Sequence, residues 1–241
     1  MTSTPADTLT ISRRFNGPPN SANGGYVAGL LGPLVGDCAT VRLTAPPPLE
    51  RPLGLRPTDD GYALLDDGRA VARARPGRMT LEPPPAPTIE QARAAMRHYR
   101  GQTEDTFRGC FVCGMDRHPG DGLRVFAGPL EDGQAVAAAW TPEASVADKQ
   151  GNVKAEFVWA ALDCPGAFAL GQGEVEVLLL GEMTTELRGT VPATEPYVVV
   201  GWREGEEGRK QYSGTALFDA SGACLAIARG TWFAVPRERI A

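Results

Sequence analysis

The chain has 241 residues, 42% of them hydrophobic and 22% charged, with a formal net charge of -5 and two histidines. At ~100–200 residues per domain it allows one large or two small domains. An acidic pI near 5.2 without a Lys/Arg cluster excludes a general nucleic-acid or anionic-membrane binder. The opening MTSTPADTLTISRRF has no positive region leading into an apolar run, so it does not read as a secretory signal. The candidate apolar stretch 26–35 is broken by Gly29, Gly32 and Pro33, far short of the ~20 residues of a membrane span. A cytoplasmic protein is expected, its five cysteines reduced.

In chain order, Asn23 to Gly32 reads as a short apolar helix, and Val41 onward as a strand running into the proline-bearing loop APPPLERP. Ala63 to Arg75 reads as a hairpin turning at Asp-Asp-Gly. Pro83-Pro-Pro-Ala-Pro87 is a stiff spacer. Thr88-Ile-Glu-Gln91 has the pattern of a capping box, opening a helix to about Arg100. Next comes CFVCG, with Cys110 and Cys113. A structural zinc site needs four ligands, and no second CxxC or HxxxH follows. The pair is therefore expected to be buried at a turn without a metal. Strands are expected over 135–140, 175–180 with 184–187, 197–202, 212–218 and 225–235, with an apolar helix over 154–163.

The chain contains an internal repeat. The helix at 23–32 aligns with 154–163, the strand and proline loop at 41–52 with 185–196, and the hairpin at 63–75 with 216–229. Three matches in the same order indicate a duplicated unit of strand, buried helix and several antiparallel strands. Phe157 to Leu162 has no polar stripe, the mark of a helix buried all round. The expected fold is α+β, a double hotdog: two tandem units, each an antiparallel sheet wrapped around one long buried helix. The units would span 1–82 and 107–241, joined by a linker with a short helix at 83–106.

On FNGPPNSANGGYVAGLL and EFVWAALDCPGAFAL, the chain resembles the hotdog-fold acyl-CoA thioesterases, in their two-unit, TesB-like branch. The resemblance implies hydrolysis of an acyl-CoA or related thioester. Amides at a helix N-terminus would serve as oxyanion donors, and a carboxylate as base or nucleophile. The family's His-Gly-Gly lands on Asn23, Gly24 and Gly25, with asparagine replacing histidine, while its acid lands on Gly32. In the second unit the glycines land on Ala155 and Glu156, but the acid position holds Asp163. The halves are complementary, so one complete site is expected between them, with Asp163 facing Gly24 and Gly25.

The branch adds a threonine and a glutamine to its aspartate. Thr231 stands near the glutamine position, while Thr184 and Thr185 follow the strand where the threonine belongs. Glu156 and Trp159 complete the candidate substrate-binding residues. No cofactor is implied beyond the coenzyme A of the substrate; a small acyl thioester is the expected partner, and a homodimer is compatible with the fold. Gly24 and Gly25 could instead serve only close packing, and Asp163 only the end of its helix. Two other functions compete with the enzyme: an inactive hotdog that binds an acyl ligand, and an assembly protein built through sheet edges. No GxSxG elbow or Ser-His-Asp set is visible.

Overall fold

Residues 8–103, 107–171 and 177–240 are described by the computed structural model. The first half contains β1 (Thr8–Thr10), α1 (Gly24–Leu31), β2 (Cys38–Leu43), β3 (Pro52–Thr58), β4 (Gly61–Asp66) and β5 (Arg69–Pro76). Next come α2 (Ile89–Met96), β6 (Gly128–Pro129) and β7 (Ala135–Trp140). The chain continues with α3 (Ala155–Ala161), α4 (Cys164–Ala169), β8 (Val177–Leu187), β9 (Tyr197–Glu207), β10 (Lys210–Phe218) and β11 (Cys224–Val235).

Local chemistry explains the turns. Asp67 and Gly68 join β4 to β5 with φ of 46° and 79°. A two-residue hairpin loop with both φ values positive twists as its strands do, and Asp-Gly tolerates it. At the β10–β11 turn, Asp219 accepts from the amides of Ser221 and Ala223. Thr88 and Gln91 cap α2 reciprocally, as the sequence pattern predicts, although the helix ends at Met96 rather than near Arg100.

The strands form one eleven-stranded sheet in the order β1-β3-β4-β5-β2-β8-β11-β10-β9-β7-β6. Every pairing is antiparallel, and the halves are joined through β2 and β8, from Cys38 opposite Glu186 to Arg42 opposite Glu182. Each half orders its strands alike: β1-β3-β4-β5-β2 in the first, β7-β9-β10-β11-β8 in the second. In each, the helix follows the first strand and precedes the other four.

Two expectations need correction. Neither helix is long. α1 has eight residues and gives way to a 3-10 turn at Gly32–Leu34, which contains Pro33. The second breaks at Asp163 into segments of seven and six residues, because Pro165 has no N–H for a continuing helix. The strand pieces expected at 175–180 and 184–187 form one strand from Val177 onward; residues 175–176 lie outside the described residues. Gly181 does not end it. The register with β11 steps from Glu182–Thr231 to Leu180–Trp232, a bulge that skips the glycine.

α1 and α3 cross antiparallel, Gly25 lying at Asp163 and Gly29 at Glu156. A Cβ on Gly29 would stand 2.5 Å from Glu156 Cα and 3.0 Å from its carbonyl oxygen. A Cβ on Gly25 would stand 2.5 Å from Asp163 Cβ. The main chain of α3 cannot yield as a flexible side chain could. Gly29→Ala is expected to cost about 1–3 kcal/mol as overpacking, read from urea unfolding. Gly54→Ala in β3 is the control and should be near neutral, because its nearest contact is 3.7 Å away.

Candidate functional site

The crossing brings together the second turn-forming end of α3 and the first turn of α1. Asp163 is 4% exposed. Its Oδ2 accepts from Asn23 Nδ2 at 2.7 Å and from the Gly25 amide at 3.0 Å. Asn23 is the N-cap of α1, and its Oδ1 accepts from the Tyr26 amide at 2.8 Å. One asparagine thus caps the helix and holds the carboxylate. Asp163 precedes α4 but does not cap it; its side chain is committed to the other half of the molecule.

Burial raises the Asp163 carboxyl to about 7, opposed by the Gly25 amide and by Asn23, while the neighbouring Cys110 adds to the rise. A carboxyl poised there can take or release a proton near neutrality. Its second oxygen, Oδ1, is buried and has no hydrogen-bond partner. Of the first three amides of α1, those of Gly25 and Tyr26 are engaged by Asp163 and Asn23. The Gly24 N–H makes no bond among the described residues, and Gly24 lines the adjoining cavity. The glycine pair therefore divides: the Gly25 amide holds the Asp163 carboxyl, and Gly24 borders the cavity.

The cavity has a volume of about 450 Å³ and takes its walls from both halves. Asn23, Gly24 and Asp163 line it together with apolar residues that include Leu178, Leu180 and Phe168. Its size and mixed lining suit a small organic ligand.

The other sequence candidates lie elsewhere. Thr231 sits opposite Glu182 and Tyr212, outside the cavity wall, although its neighbours Trp232 and Phe233 belong to it. Thr184 bonds across the β2–β8 seam to Thr40, with 2.8 Å between the hydroxyl oxygens. Thr185 is fully buried, its hydroxyl without a partner. Neither threonine lines the cavity. Trp159 does not line it either: its indole packs on Gly32, where a Cβ would come within 2.4 Å of Cζ2. Glu156, half-buried in the first turn of α3, has its carboxyl raised by burial.

Three cysteines also reach the cavity. Cys110, Cys113 and Cys164 hold their sulfurs within 4.8 Å of one another. The Cys110 and Cys164 sulfurs are in hydrogen-bond contact, and the two neighbouring thiols pull Cys110 down while their own pKa values rise. The sequence offers no further thiol beside the CxxC; in the structure Cys164 joins the pair. It was missed because it is far away in sequence and stands in no motif of its own.

No family model matches the chain, and no curated protein matches it. Solved structures do. A protein described as a thioesterase from Novosphingobium aromaticivorans DSM 12444 aligns over 95% of this chain and 96% of its own, with 14% identity and a TM-score of 0.62. A tesB protein of Mycobacterium avium subs paratuberculosis aligns over 98% and 91%, at 12% identity and a TM-score of 0.58. A protein described as thioesterase II from Thermobifida fusca YX aligns over 95% and 91%, at 15% identity and 0.58. The chain has the fold of these thioesterases. The TesB-like form is among them.

Asn23→Ala removes a helix cap and a donor to a buried carboxylate. A cap alone is worth ~1 kcal/mol, and a hydrogen bond to a charged group about 1.5–3 kcal/mol. The variant is expected to lose about 2.5–4 kcal/mol in urea unfolding. Asn23→Ser, which keeps the cap but is too short to reach Asp163, should fall between it and wild type.

Proposed function

We propose that the protein hydrolyses an acyl thioester, such as an acyl-CoA, in the cavity between its halves. The observation that carries this reading is the cross-helix bond from the Gly25 amide to Asp163 at 3.0 Å, in the cavity wall. In this reading the two halves are hotdog units spanning 1–82 and 107–241, joined through 83–106. One half supplies the helix start, the other the acid.

The thioester carbonyl lies at the start of α1, its oxygen accepting from the Gly24 N–H. Developing negative charge there is favoured by the fixed donor and the positive end of the helix dipole. Asp163 Oδ1, the oxygen without a partner, removes a proton from water as the water oxygen bonds to the carbonyl carbon. The tetrahedral intermediate collapses, the carbon–sulfur bond breaks, and the thiolate leaves to be protonated. Direct attack by Asp163 through an acyl anhydride that water then opens is the alternative route for the same residue. Glu156, Trp159, Thr184, Thr185 and Thr231 take no part in these steps.

A binding-only reading has one observation in its favour. The Gly25 amide is already spent on Asp163, so just one helix-start donor remains for the carbonyl oxygen.

A panel of acyl-CoA substrates of varied chain length, followed by thiol release, separates the two. Wild type is expected to turn over at least one member, and Asp163→Asn to lower kcat by at least ~100-fold, the scale of general-base removal. Unchanged kcat in Asp163→Asn sinks the proposed chemistry. Binding of acyl-CoA by wild type without thiol release across the panel establishes the binding-only reading.

A further inference from the structure

The site has a second set of chemically active groups that the thioesterase reading leaves unused. Cys110 and Cys113 lie on the turn that opens the second half, and Cys164 is the first residue of α4, directly after Asp163. Of the five cysteines, these three converge and Cys38 and Cys224 do not. Among the described residues no His, Asp or Glu joins the cluster.

Its geometry is that of a ligand set. The Cys110 and Cys164 sulfurs are 3.8 Å apart. A tetrahedral zinc with Zn–S bonds of ~2.3 Å spaces its sulfurs about 3.8 Å apart. A disulfide would hold the sulfurs at ~2.05 Å. The CxxC turn is fixed before any ion arrives. Gly114 N donates to Cys110 O at 2.9 Å, and a Cβ on Gly114 would stand 2.4 Å from Arg108 O, so only glycine closes it. Tyr99 locks the turn from the other side, its hydroxyl donating to Cys113 O at 2.7 Å.

We propose that Cys110, Cys113 and Cys164 bind one zinc ion as three thiolates, leaving the fourth position open to the cavity beside Asp163. Binding displaces three thiol protons to solvent and involves no redox step. Three buried thiolates cannot coexist without a cation, and the ion supplies the compensating charge. A soft sulfur set selects zinc over magnesium or calcium. Three protein ligands with an open position describe a site that holds water or exchanges it for a ligand donor. The ion would also tie the 110–113 turn to the break between α3 and α4, fixing the segment that carries Asp163. None of this depends on the thioesterase reading.

Protein purified without a histidine tag or chelator, incubated with zinc sulfate and desalted, is expected to retain about one zinc per chain by mass spectrometry of the metal. Cobalt in place of zinc should give intense sulfur-to-metal charge-transfer absorption and the visible bands of a tetrahedral ion. Under native conditions a thiol reagent should modify Cys38 and Cys224 but spare the other three until a chelator is added. Cys224→Ser and Asp163→Asn should keep the zinc, and Cys164→Ser should lose it. If the cysteine variants fail to fold, the wild-type cobalt spectrum and thiol protection decide. Folded wild type that retains less than about a tenth of an equivalent, or a disulfide among these cysteines in freshly purified protein, overturns the site. Loss of hydrolysis in Asp163→Asn with zinc retained separates the two proposals.

Discussion

The close crossing of α1 and α3 is the constraint on which the rest of the site depends. Two helices meeting through ordinary side chains stand ~8–10 Å apart. At that spacing a short aspartate could not reach an amide at the start of the opposite helix. Gly25 and Gly29 remove the side chains that would hold the helices apart. The reward is electrostatic. A carboxylate buried without partners is expensive, and here an amide in the first turn of α1, with the positive end of that helix behind it, offsets part of the cost. Packing and chemistry are one feature, because the contact that admits no Cβ delivers the N–H to the acid.

The same crossing makes the molecule asymmetric. If α1 is matched to α3 along the repeat, the mirror of Gly25 and Asp163 is Glu156 and Gly32. No carboxylate stands at Gly32, and its space is filled by the Trp159 indole. An aspartate added at Gly32 would meet this ring rather than an open cavity. Burying a second acid at the crossing would also repeat the desolvation cost. A tryptophan there adds apolar packing and closes the second opening. Among the described residues, the two halves of the crossing therefore differ: one end carries a buried carboxyl and the other an indole.

Much of this frame was legible in the sequence, for physical reasons that differ by element. Hairpins such as 61–76 announce themselves through alternation and an Asp-Gly turn, both local properties. The α2 cap was legible because its two bonds join residues three apart. The family resemblance, laid over the repeat, implied Asp163 facing Gly24 and Gly25, and the structure bonds Asp163 to the Gly25 amide. Helix lengths were less legible: Leu30, Leu31 and Leu162 continue the apolar pattern, while backbone limits imposed at Gly32-Pro33 and Pro165 end the helices early. Thr231 was misplaced because register decides which face a strand residue takes. The bulge at Gly181 shifts that register, and nothing in a single strand reports what its neighbour does. Trp159 stood among aromatic residues of its helix that suit a cavity or a core equally, and the absence of a side chain at Gly32 decides where the ring goes.

Cys164 was illegible for a related reason, and it joins the two parts of the site. Metal-ligand patterns are recognised by short spacing, whereas this thiol reaches Cys110 only because the helix stops at Asp163. Had α3 continued, residues 163 and 164 would point about 100° apart around one helix axis. The break frees both. Asp163 turns towards α1, and Cys164 starts a new helix towards the 110–113 turn. Pro165, two residues after the aspartate, therefore shapes both contacts: it ends the helix where Asp163 faces the Gly25 amide of the first half and Cys164 the Cys110 sulfur of the second.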